Sequence, residues 1–226
     1  MFASMVGCGS TALTGSGAIA EERYSDLGEF VMLETDSSVS VRVTKGDQRE
    51  VVVRADDNVI EDVAVDSGGD TLSIRVDPGV RLSDATLEVE VVTPDLRAVE
   101  ANGASDVEVL DEFGSDRFEC SATGASEVRA ELSASEAELS ASGSSRVELS
   151  GSSVSVTAEV VGASEMELGA LDVEDMEIDL SGASSAVVTV TGNLSASASG
   201  ASDLRYEGDP TIERSDTSGS SSIESR

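Results

Sequence analysis

One short phrase returns seven times: Gly103-Ala104-Ser105, Gly124-Ala125-Ser126, Gly143-Ser144-Ser145, Gly162-Ala163-Ser164, Gly182-Ala183-Ser184, Gly200-Ala201-Ser202 and Gly219-Ser220-Ser221. Successive glycines stand 21, 19, 19, 20, 18 and 19 residues apart. A period that tight marks a chain built by stacking one unit on the next. A solenoid has to repeat in this way, because every coil rests on the one before it.

Alignment on the glycines shows what the unit contains. Four residues after each glycine stand Val107, Val128, Val147, Met166, Ala186, Leu204 and Ile223, and two further on Val109, Ala130, Leu149, Leu168, Val188, Tyr206 and Ser225. Counting back six, four and two residues gives Phe118, Cys120 and Ala122 in one copy and Met176, Ile178 and Leu180 in another. These sets alternate with Ser, Thr, Glu or Asp, the period-2 pattern of strands with one buried face. Each unit is expected to hold two short strands meeting at the corner, with a looser return segment. About 19 residues at roughly 3.3 Å each give a contour near 60 Å, enough for one closed coil. The expected fold is all-β: a single-stranded, parallel, right-handed β-helix with coils of about 19 residues. Gly103, Gly124, Gly143, Gly162, Gly182, Gly200 and Gly219 are its structural corners, small because every copy lies directly over the last.

The chain divides into three stretches. Residues 1–20 read as a leader and flexible tether, since Met5-Val6-Gly7-Cys8-Gly9-Ser10 has the form of a lipobox, with Cys8 the lipidated residue. Residues 21–94 read as irregular N-terminal coils. There Val39, Val41 and Val43 alternate, Lys45-Gly46-Asp47 turns, and Val51, Val52 and Val53 follow as a hairpin-like partner. Residues 95–226 carry the repeats. In the last of them Glu213, Arg214 and Asp216 stand where apolar residues are due, as in a polar terminal coil that blunts an open edge.

Composition removes several classes of function. With 45 acidic residues against 14 basic ones the net charge is −31, which disfavours nucleic acid and anionic lipid as partners. The acids are spread between apolar residues, which predicts an acidic skin on a folded body, as in proteins of high-salt habitats. Histidine is absent, so the Ser-His-Asp and Cys-His nucleophilic units and histidine zinc sites are not available. Cys120 falls between Phe118 and Ala122 on the inward row and reads as a buried filler unpaired with Cys8. Asp106, Glu127, Glu165 and Asp203 share the position after the corner serine, a column broken by Arg146. It is read as a solvated face, with a calcium or sugar site as the competing reading. No cofactor and no catalytic residue is expected.

Taken in order, Gly15-Ser16-Gly17, Glu22-Arg23, Phe30, Gly46-Asp47, Asp56-Asp57-Asn58, Gly69 with Leu72, Pro94-Asp95-Leu96, the seven corners and Tyr206-Glu207-Gly208-Asp209-Pro210 resemble the auto-transporter adhesin family with the head GIN domain. That resemblance implies a β-helical body on an exported protein, often a lipoprotein, and supplies no catalytic or ligand residue. The expected role is adhesion, binding or envelope structure at the cell surface, toward a surface polymer or protein. The competing role is a carbohydrate-active enzyme that uses surface carboxylates.

Overall fold

The structure, a computed structural model, describes residues 11–226. Cys8 lies outside the described residues. From residue 11 onward the chain is mostly strand, its strands joined by turns and short irregular segments and, at Ile60–Asp62, by a 3-10 turn.

The repeats form a parallel β-solenoid. Phe113–Gly124, Glu127–Gly143, Arg146–Gly162 and Glu165–Gly182 stack in step, so that Gly124, Gly143, Gly162 and Gly182 are ladder partners in turn. Val128, Val147 and Met166 are aligned in the same way. The expected return segment is more ordered than a loose connection. Leu132, Gly151 and Leu171 also lie in register, so each of the three central coils is one nearly continuous strand of 17 or 18 residues that bends rather than stops. The backbone must pair somewhere, and the matching segment of the next coil is the nearest partner.

Side chains at the inward positions fill the bore. Val107, Val128, Val147, Met166 and Leu204 are buried, as are Phe118, Cys120, Leu139, Ala158, Ile178 and Ala196 on the opposite wall. Valine, leucine and alanine suffice because the coil is thin. The corner serines also point inward: Ser126, Ser164 and Ser202 are at most 1 % exposed. Their hydroxyls donate to the carbonyls of Thr123 (2.8 Å), Val161 (2.9 Å) and Ser199 (2.8 Å), three residues back. A buried hydroxyl is thereby satisfied at every turn.

The corner glycines have φ between +77° and +92°. A Cβ on Gly162 would stand 2.6 Å from the carbonyl oxygen of Gly143, and the other corners are blocked in the same way by the preceding coil. Ser37, at φ +84°, occupies the equivalent corner of an earlier coil, and its carbonyl accepts the Ala104 N–H at 2.7 Å.

Residues 19–93 do not simply continue the coils downward. Met32–Thr35 and Ser40–Lys45 form one rung, paired on one side with Ala98–Ala101 and Asp106–Val109. On the other side they pair with Thr71–Val76 and Leu87–Thr93, so the earliest rung in sequence is the second in space. The expected hairpin between the Val39–Val43 and Val51–Val53 runs is not formed. Leu87–Thr93 lies between them, parallel to Ser40–Lys45 and antiparallel to Glu50–Asp56. Alternation assigns a buried face to each strand but no partner, and Leu87, Val89 and Val91 present the same face. Ile19–Tyr24 adds antiparallel to Glu50–Asp56, and Val63–Gly68 folds back on Thr71–Val76, so antiparallel strands cap this end.

The tether expected through residue 20 is also corrected for its described part. Thr11–Thr14 is a strand parallel to Val80–Ser83, and Ile19–Tyr24 belongs to the cap. Between them, Ser16 and Gly17 donate their N–H groups to Asn58 and Asp56, 42 and 39 residues away in sequence. At the other end Thr211–Gly219 stacks on Asn193–Gly200 and is exposed along almost its whole length.

Candidate functional site

Outward residues of successive coils form rows along the solenoid axis, one rung apart. The row after the corner serine reads Asp106, Glu127, Arg146, Glu165, Ser185 and Asp203, as ladder register requires. It is not a bare carboxylate column. Arg129 reaches Glu127 at 2.5 Å and Asp106 at 3.3 Å, while Arg146 bridges Glu127 and Glu165. Among the described residues no set of three or more Asp, Glu, Cys or His converges in a geometry that would hold a metal ion.

The next outward row reads Glu108, Arg129, Glu148 and Glu167. It forms one wall of a groove of about 390 Å³ that is open to solvent and crosses four coils. The facing wall is Leu110, Glu131, Ser150, Gly169 and Ala170, and the floor is the row Val109, Ala130 and Leu149. The groove lies where each coil bends from its first strand into the return segment. Gly169 enters it through a register shift: Glu148 pairs with Glu167, but Ser150 pairs with Ala170, so the coil carries one extra residue here.

Electrostatically the groove is acidic with one cation at its centre. Burial raises the Glu167 carboxyl above its ordinary range, and the neighbouring Glu165 and Glu148 carboxylates add to this. Arg129 stands between Glu108 and Glu148, 3.8 Å from the latter. The site therefore offers carboxylate acceptors, guanidinium donors, the Ser150 hydroxyl and an exposed apolar side chain, Leu110, at 49 % exposure. A second, smaller depression of about 240 Å³ lies on another flank, around Met32, Ala98, Glu100, Glu119 and Glu138.

Of the residues singled out from sequence, the corner glycines stand at the bends with positive φ, and Cys120 is buried with its thiol pushed up to about 12 by desolvation. The acidic column holds Glu127 and Glu165 beside the groove rather than in it. Sequence reading missed Glu108, Leu110, Glu131, Glu148 and Glu167. Two signals were present: the 20-residue interval between Gly162 and Gly182, which records the extra residue at Gly169, and Leu110, an apolar residue at an outward position.

Fold and groove together define a single-stranded parallel β-solenoid with a solvent-open groove along its outer surface. The chain belongs to the family described as "Putative auto-transporter adhesin, head GIN domain", whose model matches residues 29–210. Among solved structures it is similar to a putative adhesin from Bacteroides fragilis, with a TM-score of 0.88 and 18% identity over 95% of this chain and 100% of that one. It is similar also to a putative adhesin from Parabacteroides merdae (TM-score 0.76, 17% identity, 95% and 99% covered). A further likeness is to a putative lipid binding protein from Parabacteroides distasonis (TM-score 0.77, 16% identity, 96% and 100% covered). At these identities the likeness is one of fold. No curated protein matches the chain.

Proposed function

We propose that this chain is an exported, lipid-anchored envelope protein that binds an extended, hydroxyl-bearing polymer along the flank of its solenoid, without turning it over. The groove between Glu108 and Ala170 carries this reading. Its walls repeat once per rung, at about 4.8 Å, close to the rise of one sugar ring in an extended glycan. Carboxylates, an arginine and a serine hydroxyl supply the acceptors and donors that sugar hydroxyls use, and Leu110 and Ala170 supply apolar patches for ring faces. The groove is open, so a long chain can enter sideways and no end need be threaded. Family membership and the names of the structural neighbours support a surface-binding role. The lipobox form around Cys8 supports the anchor.

Glycan-array binding of the purified chain tests the reading. Binding that falls at least tenfold on Arg129→Ala, with no shortened product after long incubation, is the expected result. Turnover lost on replacing Glu148 or Glu167 by Gln would instead establish the carboxylate enzyme. Mass spectrometry of the native N-terminus should find a diacylglyceryl group on Cys8, and an unmodified thiol there refutes the anchor.

A further inference from the structure

We propose that the antiparallel cap is the membrane-facing end of the molecule and the Thr211–Ser225 rung its outward end, so that the solenoid stands upright on the bilayer. The proposal rests on the lipid anchor at Cys8 and adds an orientation to it.

Little chain separates Cys8 from folded structure. Only Gly9 and Ser10 stand between Cys8 and the strand Thr11–Thr14. Three residue steps span at most about 11 Å when fully extended. A free tether of the dozen residues from Gly9 to Ala20 would reach several times farther and leave the body at any tilt.

The strand is held in place. Thr11–Thr14 pairs along its length with Val80–Ser83. Behind it, Asn58 accepts the Ser16 N–H at 3.0 Å and donates to the Thr14 carbonyl at 2.9 Å. Asp57 accepts the Ser16 hydroxyl at 2.5 Å, and Asp56 accepts the Gly17 N–H at 2.6 Å. Gly15 packs so close to Asp56 that a Cβ there would overlap its carboxylate. The segment is therefore a strap clasped to the cap by three consecutive side chains.

The strap pair, Thr-Ala-Leu-Thr at 11–14 with Val-Arg-Leu-Ser at 80–83, contains no acidic residue and one arginine, Arg81. The adjoining cap strands carry Glu21, Glu22, Glu50 and Asp66, so the orientation follows from the short, clasped connection and not from charge. At about 4.8 Å per rung the terminal rung stands several tens of ångströms from the cap, and the groove runs between them, clear of the surface and parallel to the membrane normal.

The full chain coupled through Cys8 to a maleimide lipid in phosphatidylcholine vesicles tests the orientation, since Cys120 is buried and does not compete. A fluorescent amino acid replaces Ser83 or, in a second protein, Glu224, and energy transfer to acceptor lipids in the headgroup layer is measured. Transfer several-fold stronger from position 83 is expected. Inserting about a dozen Gly and Ser residues between Ser10 and Thr11 should abolish the difference, because the tether then exceeds the height of the cap. Equal transfer from both sites in the uninserted chain, or stronger transfer from position 224, overturns the orientation and leaves the anchor standing. An unmodified Cys8 in the native protein overturns the anchor, and the orientation with it, whatever the vesicles show.

Discussion

Asp56 accepts the backbone N–H of Gly17 at 2.6 Å through one carboxylate oxygen and that of Thr86 at 2.7 Å through the other, while only 2 % exposed. One side chain thus ties the N-terminal strap to the turn before Leu87–Thr93. It also explains why Gly15-Ser16-Gly17 and Asp56-Asp57-Asn58 occur together: they are two halves of one clasp. Asp56→Ala leaves two donors without their acceptor, at a cost of about 2–4 kcal/mol, since hydrogen bonds to charged groups are worth about 1.5–3 kcal/mol each. Urea unfolding should show the loss, and amide exchange should rise first over residues 12–18. Unchanged exchange there would rule the clasp out.

The corners make a paired prediction. Gly162→Ala puts a methyl group 2.6 Å from the Gly143 carbonyl oxygen in a residue with φ +87°. It should cost at least about 2 kcal/mol, because an L side chain in this conformation alone costs about 1–2 kcal/mol. Ser37→Gly, at the corresponding corner with φ +84°, relieves the same strain and should raise the melting temperature, offset in part by the freer unfolded chain. Opposite signs at equivalent corners are the result to look for. Destabilisation by both would show that the Ser37 side chain is needed.

Glu167 gives a dependence on pH. Its carboxyl is raised from the ordinary 4.5, chiefly by burial and next by Glu165. A raised native value means that the folded protein holds this proton more tightly than the unfolded chain does. Its unfavourable contribution is therefore absent below the unfolded value, grows as pH rises toward the native value, and is complete above it. Glu167→Gln should stabilise the protein slightly at pH 7 and have no effect near pH 3. Chemical denaturation at both pH values checks this.

Cys120 should be inert while the protein is folded. Burial drives its thiol to about 12, so thiolate is scarce at any ordinary pH. In a Cys8→Ser background, Ellman's reagent should titrate no thiol in buffer at pH 8 and one in urea. Rapid labelling in buffer would mean that the bore opens at this rung.

Salt dependence tests the acidic skin. Many carboxylates lie one rung from another carboxylate, with Glu148 beside Glu167 as an example. Screening such repulsion should raise the unfolding midpoint between low and molar salt. A midpoint indifferent to salt would show that the arginine bridges already balance the surface.

Much of the solenoid was legible because each coil is stacked on a near copy of itself. A Gly162 that must fit over Gly143 and under Gly182 leaves the same residue at the same interval, so the spacing reports the contact directly. The inward rows were legible for a similar reason: Val128, Val147 and Met166 alternate with polar residues and meet only their own equivalents. The cap was not. Val41, Val53 and Val89 all announce a buried strand face, and nothing local says that the strand bearing Val89 comes between the other two. The groove was half legible, its extra residue written into one glycine interval and its walls not.

Sequence alone determined the coil, its period, its corners and the identity of its filling, since these follow from local periodicity and from like stacking on like. Only the tertiary structure decided the order of the first rungs, the clasp from Asp56 to Gly17, and the gathering of Glu108, Arg129, Glu148 and Glu167 along one wall. Those depend on which distant segment satisfies an open edge and on how sharply each coil bends. Alternation along a strand specifies which face is buried, but it carries no information about partner or curvature.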